Sequence, residues 1–294
     1  MLIVGGSAAN GIDDGVAAAL GAKVVKIEKK NFPDGEFKIR INADVKGQDV
    51  VIVQSLYGPQ EKHLLELLFI IDAAKGLGAS KVIVVVPYLA YARQNRRFLE
   101  GEGISIDTVV KLLNSVGTDG FITVRPHTSE PLKGMTGKVK VVEPVKTFAE
   151  AVRKRCQRPL ILSPDKGGSE FAVSVAKELG CPSASLDKER DYNTGEVLIK
   201  SIIDGSFRDW DVVIVDDVIS GGGTIVASSK FSLGNGAKSV GTAAVHMLMA
   251  GDARQRIAAS GVSWVVGSNT IPCKDIEVVD ISPDIAAGIM ELLK

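Results

Sequence analysis

At 294 residues the chain is long enough for two domains, and with 45% hydrophobic and 24% charged residues it can build ordinary packed cores. Lysine plus arginine and aspartate plus glutamate balance at 35 each, which removes any bulk electrostatic case for nucleic acid or a membrane surface as partner. The three scattered cysteines (Cys156, Cys181, Cys273) form no disulfide framework or zinc spacing and fit a reducing compartment.

In chain order, strands are predicted at 2–4, 24–27, 50–54, 81–86, 121–124 and 139–142, with helices near 11–20, 61–75 and 106–115 between them. The second half continues with a helix at 146–155, a strand at 159–162, a helix at 169–179 and strands at 183–186 and 212–215. A helix at 224–233, strands at 240–245 and 264–266 and a last helix at 283–293 complete it. The strands are continuous Val/Ile runs without alternation, the pattern of parallel sheets covered on both faces. The class is therefore α/β, doubly wound. The opening residues MLIVGGSAANG lack the basic and apolar segments of a signal peptide. The most apolar stretch, KVIVVVPYLAYARQ, is far short of the roughly 20 residues that span a bilayer. A cytoplasmic protein is expected.

The chain also echoes itself. DVVIVQS (Asp49–Ser55) returns as DVVIVDD (Asp211–Asp217), and GASKV (Gly78–Val82) returns as GAKSV (Gly236–Val240). Matched order at similar spacing predicts a duplicated fold, divided at 144/145. The first copy has Gln54 and Ser55 where the second has two acids, and it has no glycine run.

The second copy carries the chemistry. Asp216 and Asp217 end a buried strand, and Ser220, Gly221, Gly222, Gly223 and Thr224 lead into a helix. Backbone N–H groups at a helix N-terminus cradle an anion, and the glycines admit it closely. No lysine follows the glycines and no GxGxxG is present, so neither a Walker loop nor a dinucleotide fingerprint applies. A ligand with phosphate at one end and vicinal hydroxyls at the other satisfies both halves of the motif, as a ribose 5-phosphate moiety does. Taken singly, an acid pair is usually solvated and a glycine run is usually a turn; their fixed order is more specific.

VIVDDVISGGGTI resembles the phosphoribosyl-diphosphate motif of type I phosphoribosyltransferases. With FPDGE (Phe32–Glu36), PYLAYARQ (Pro87–Gln94), RPHTSE, SPDKGG (Ser163–Gly168) and DKER (Asp187–Arg190), the whole chain resembles the ribose-phosphate diphosphokinase (phosphoribosyl pyrophosphate synthetase) family, in an archaeal-like short form. The resemblance implies two tandem type I phosphoribosyltransferase-like domains. It implies Mg²⁺-dependent transfer of the diphosphoryl group of ATP to the C1 hydroxyl of ribose 5-phosphate. Lys188 and Arg190 would be catalytic, on a mobile lid within KERDYNTGE. His127 and Asp165 would serve the metal. Arg93 and Gln94 would bind ATP, joined by Phe32, Asp34, Gly35 and Glu36 reaching from a neighbouring subunit of a homo-oligomer. Asp216, Asp217 and residues 220–224, with Arg190, would hold ribose 5-phosphate.

Three positions depart from the family pattern. Gly221 stands where threonine is common, Arg125 where an acid is common, and Asn95 where aspartate is frequent. Two other readings follow: a non-catalytic regulatory paralogue, and an ordinary phosphoribosyltransferase. Retention of Lys188, Arg190, His127 and Asp165 counts against the first, and the duplicated architecture against the second.

Overall fold

The computed structural model describes residues 1–165, 169–190, 197–202 and 207–294, with the backbone alone at 169, 187–190 and 197–202. The chain divides into two compact units, Met1–Glu143 with Ile281–Lys294, and Pro144–Asp280.

The first unit contains, in chain order, β1 (Leu2–Gly5), α1 (Ile12–Leu20), β2 (Lys23–Lys26), β3 (Glu28–Asn31), β4 (Phe37–Arg40), β5 (Asp49–Val53) and α2 (Gln60–Gly76). It continues through β6 (Lys81–Val86), α3 (Ser105–Ser115), β7 (Gly120–Val124), a 3₁₀ turn at Glu130–Gly134 and β8 (Lys138–Val142). Its six-stranded sheet has the order β2-β1-β5-β6-β7-β8, every neighbouring pair parallel. The second unit contains α4 (Val145–Arg153), β9 (Pro159–Ser163), α5 (Ser169–Leu179), β10 (Ser183–Arg190), β11 (Val197–Ile202), β12 (Asp211–Ile219) and α6 (Gly223–Gly234). There follow β13 (Ser239–Met247), α7 (Ala253–Ala259), β14 (Trp264–Ser268) and β15 (Glu277–Val279). Its seven-stranded sheet runs β11-β10-β9-β12-β13-β14-β15, with only the β10–β11 pair antiparallel.

The echoed segments occupy equivalent places. Val50–Val53 in β5 and Val212–Val215 in β12 are fully buried, each burial contributing about 1.5–3 kcal/mol per side chain. β5 pairs with β6 and β12 with β13, the two strands that follow the Gly-Ala turns. Gly78 and Gly236, which open those turns, have φ of 86° and 88°, a left-handed conformation that glycine adopts without a Cβ clash.

One element departs from the expected division at 144/145. The last helix, α8 (Ser282–Leu293), belongs to the first unit: it packs on α1, β7 and β8 and buries Ile285, Ala286 and Ile289 there. Lys140 of β8 pairs with Glu291 on its exposed side. The helix itself was expected; its apolar stripe does not say which sheet it covers. A second departure lies at β3 and β4. These pair antiparallel as a separate hairpin, Asn31 opposite Phe37, with the FPDGE turn at its tip. Their sequences, EKKN and FKIR, carry too many exposed charges to read as strands.

Among the described residues no helix is long and apolar enough to cross a membrane.

Candidate functional site

In the second unit β10, β9 and β12 are adjacent and parallel. Their C-terminal ends therefore share one edge of the sheet, where ligands bind in open α/β folds. Asp165 lies two residues beyond β9, its carbonyl accepting from the Ser163 hydroxyl at 2.5 Å. The acids of β12 do not terminate it as expected. β12 is nine residues long because β13 is equally long and apolar beside it, and the ladder runs through Asp216↔Ala244 and Val218↔His246 to Ile219↔Met247. Asp216 and Asp217 thus sit within the last turn of the pleat.

Burial pushes the Asp216 carboxyl well above the usual carboxylate range, and the neighbouring charges of Asp217 and Asp165 push it further. The carboxyl groups of Asp217 and Asp165 are thus close enough to act on that of Asp216. Carboxylate oxygens are the donors that Mg²⁺ takes, one or two from protein and the remainder from phosphate and water. Among the described residues no group of three or more His, Cys, Asp or Glu that could hold a metal ion by itself is found. The donor set fits Mg²⁺.

After β12, Ser220 and Gly221 lead to Gly222, the residue before α6, with φ 73° and ψ −6°. A Cβ there would be strained and would approach Ile257 within 3.1 Å, so only glycine suits the position. Gly221 and Gly223 are exposed, and the first turn of α6 presents its unpaired N–H groups beside them. The loop is backed from beneath: Leu248 and Met249 amides donate to the Ile219 carbonyl and the Ala250 amide to that of Ser220, at 2.9–3.1 Å. Arg256 of α7 donates to the Gly221 carbonyl. Sequence reasoning missed both α7 and Arg256; the only signal was a basic residue on a short helical run after Gly251-Asp252.

The backbone of Lys188 and Arg190 belongs to β10. β10 continues past its last pairing with β9, Ser185↔Ser163, because β11 supplies a new antiparallel partner, with Lys188 opposite Ile199 and Arg190 opposite Val197. Their side chains lie outside the described residues, as do 166–168 and 191–196, which include parts of SPDKGG and KERDYNTGE.

In the first unit the equivalent edge holds Arg93, Gln94 and His127, in the segments after the neighbouring strands β6 and β7. Arg93 and His127 are exposed. Gln94 donates to the Glu102 carboxylate at 3.4 Å, and that carboxylate also accepts the Phe98 and Leu99 amides at 2.8 and 3.1 Å. Those amide hydrogen bonds hold Glu102 below its usual range. Arg125 pairs with Glu143 at 3.1 Å, so an acid stands beside the position where the family pattern has one.

The end of β5, where Asp216 has its counterpart, is filled rather than open. The Gln54 carbonyl oxygen accepts the Ala8 amide at 2.9 Å, and its amide donates to Glu66 at 3.1 Å. Glu66, fully buried, also accepts the Ser7 amide (2.7 Å), the Ser7 hydroxyl (2.8 Å) and Lys29 Nζ (2.6 Å). Burial alone would raise its pKa, but these hydrogen bonds and the Lys29 charge outweigh it and hold the carboxyl low. Lys29 lies on β3, its ammonium 4.4 Å from the Phe37 ring centroid, and Phe37 packs on Phe69 of α2 at 5.4 Å. The filled crevice thus anchors the hairpin whose tip is Phe32–Glu36. In that tip the Phe32 amide donates to the Glu36 carbonyl at 2.8 Å and the Glu36 amide to Asp34 at 3.1 Å, leaving Asp34, Gly35 and Glu36 exposed.

Comparison with known families agrees with this architecture. Residues 1–117 match the N-terminal domain of ribose phosphate pyrophosphokinase and residues 142–279 the phosphoribosyl transferase domain. The ribose-phosphate pyrophosphokinase of Saccharolobus solfataricus is 43% identical over 98% of this chain and 100% of its own length. That of Methanobrevibacter smithii is 36% identical over 97% and 98%. The crystal structure of phosphoribosylpyrophosphate synthetase from Mycobacterium smegmatis superposes with a TM-score of 0.87 at 29% identity, covering 99% of this chain and 98% of that one.

Proposed function

The chain belongs to the ribose-phosphate pyrophosphokinase family, and on that premise we propose that it makes phosphoribosyl diphosphate and AMP from ribose 5-phosphate and ATP. The observation that supports the reading is the edge of the second sheet, where Asp217 and Asp165 act on Asp216 and the glycine run after β12 opens helix α6.

The backbone N–H groups of residues 222–224 and the Thr224 and Ser220 hydroxyls hold the 5′-phosphate. Asp216 and Asp217 accept hydrogen bonds from the ribose hydroxyls and fix the ring, turning the C1 hydroxyl toward the nucleotide. Arg93 and Gln94 hold the ATP polyphosphate. Phe32 stacks on adenine while Asp34 and Glu36, beside Gly35, accept from its amine or ribose, supplied by a neighbouring copy in a homo-oligomer. The C1 hydroxyl oxygen attacks the β-phosphorus; the bond from that phosphorus to the α,β-bridging oxygen breaks; the hydroxyl proton passes to solvent, and AMP departs carrying the bridging oxygen. Lys188 and Arg190 neutralise the charge on the transferred group, which is the main demand of a phosphoryl transfer. Asp165 would hold Mg²⁺, and His127 would contact phosphate or metal-bound water; when bound, the ion would supply charge neutralisation on the phosphate oxygens. The reaction belongs to nucleotide biosynthesis in the cytoplasm.

The test is phosphorus NMR of the purified protein with ribose 5-phosphate, ATP and Mg²⁺. A diphosphate on C1 and AMP should rise together; ADP as the product would overturn the mechanism. Lys188→Ala should lower kcat by about 10²-fold or more while ribose 5-phosphate binding is retained.

A further inference from the structure

Arg256 makes a contact that the chemistry above does not use. Its side chain, about half exposed, is ion-paired one turn back to Asp252 at 2.9 Å, and its guanidinium also donates to the Gly221 carbonyl. A trans peptide is planar, with C=O and N–H on opposite sides. A donor that holds the Gly221 carbonyl toward α7 therefore turns the Gly222 N–H away from α7, to the side where Gly221 and Gly223 are exposed.

This peptide is the one in the loop with the least intrinsic restraint. The Ile219 and Ser220 carbonyls are tied to the 248–250 backbone. Ile257 and Ala253 fill the space where a Cβ on Gly222 would lie, and the Gly222 carbonyl accepts from the Val226 amide. Between these fixed points the Gly221–Gly222 peptide has glycine on both sides. Rotating it by roughly half a turn interconverts two common turn geometries, and no Cβ opposes the rotation. In the rotated form a carbonyl oxygen, not an N–H, would face an incoming phosphate.

We propose that Arg256 is a positioning residue for the phosphate cradle: by holding the Gly221 carbonyl it locks the Gly221–Gly222 peptide with its N–H presented to a phosphate monoester. The inference rests on the reading of residues 220–224 as that cradle. It also explains how a loop with glycine at 221, lacking a side chain that would stiffen it, still presents an ordered donor.

The experiment compares wild type, Arg256→Met and Arg256→Lys in two measurements. The first is the Gly222 amide resonance of the ligand-free protein by nitrogen-15 NMR. The second is calorimetric affinity for ribose 5-phosphate and, separately, for ATP, with the melting temperature as a control. Arg256→Met should broaden or shift the Gly222 resonance. It should weaken ribose 5-phosphate binding by about tenfold, the worth of one well-made hydrogen bond, and leave ATP affinity and the melting temperature near wild type. Arg256→Lys, which still donates to the carbonyl, should restore most of both losses. An unchanged Gly222 resonance in Arg256→Met overturns the lock, and does so even if sugar binding falls, since Arg256 would then be a direct phosphate contact. If wild type binds no ribose 5-phosphate, the cradle reading fails, and the resonance still decides whether Arg256 orders the peptide.

Discussion

Asp211 and Asp216 stand near the two ends of one strand, and burial acts on both. For Asp211 burial is outweighed: the Arg158 amide, the Ser239 hydroxyl and the Gln157 amide all donate to it, at 3.1, 2.8 and 3.0 Å, and its carboxyl lies below the usual range. A lowered folded-state pKa favours the unfolded state as the proton carrier, so this contribution is full above the usual carboxylate range and is lost as pH falls through the folded value. Asp211→Ala leaves those donors unpaired and should lower stability by about 1–3 kcal/mol, read from urea midpoints at pH 7, with the difference from wild type shrinking in acid. For Asp216 the sign reverses. Its pKa is raised, the folded state holds the proton more tightly, and stability declines as pH rises from the unfolded value toward the folded one. Asp216→Asn should therefore melt higher than wild type at pH 7–8, roughly 2–4 °C for each kcal/mol gained. The gain should vanish below the usual carboxylate range, and ribose 5-phosphate binding should be weaker throughout. Gly221 makes a third case. Its φ is not left-handed, and a Cβ there would meet only the Arg256 guanidinium, at an ordinary 3.8 Å. Gly221→Thr should fold normally and lower KM for ribose 5-phosphate by about 3–10-fold through one added hydroxyl contact; an unchanged or raised KM would count against the cradle.

Elements were legible from sequence where their residues settle their own surroundings. The continuous apolar runs in strands β1, β5, β6, β7, β9, β12 and β13 declare burial on both faces, and the repeat of DVVIV with its Gly-Ala turn declared the duplication. What was not legible depends on partners distant in sequence. Lys188–Arg190 were not read as strand because nothing in KER shows that Val197–Ile202 pairs beside it. The hairpin β3–β4 read as a turn alone, since its anchor is Glu66, whose sequence context is an ordinary helix face. The acid pair and Asp165 were legible as groups at one strand-end edge, but the approach of Arg256 was not. The hairpin anchor is testable at this scale. Glu66→Ala strands Lys29 and the Ser7 amide and should cost about 1–3 kcal/mol. Limited proteolysis should then cut near residues 32–36 faster than in wild type, while the second unit stays resistant.

For the whole molecule, the membership of α8 is the arrangement that sequence pattern left unstated. Both tryptophans, Trp210 and Trp264, lie in the second unit, so their fluorescence reports that unit, whereas circular dichroism reports both. Removing residues 281–294 uncovers the face of the first unit formed by α1, β7 and β8. The dichroism transition should move down by several degrees while the fluorescence transition stays near its wild-type temperature. A fluorescence transition that moved equally would show that α8 supports the second unit instead.

That same helix sets an order of events at the ribosome. Residues 1–143 leave the exit tunnel first, yet the apolar patch that Ile285 and Ile289 cover has no partner until everything from Pro144 to Asp280 has been translated. The second unit, continuous in the chain, can finish folding before the first. A nascent chain that has not yet released residues 281–294 from the tunnel thus carries an open older half, and chaperones that bind exposed apolar surface would find their target in the part synthesised earliest.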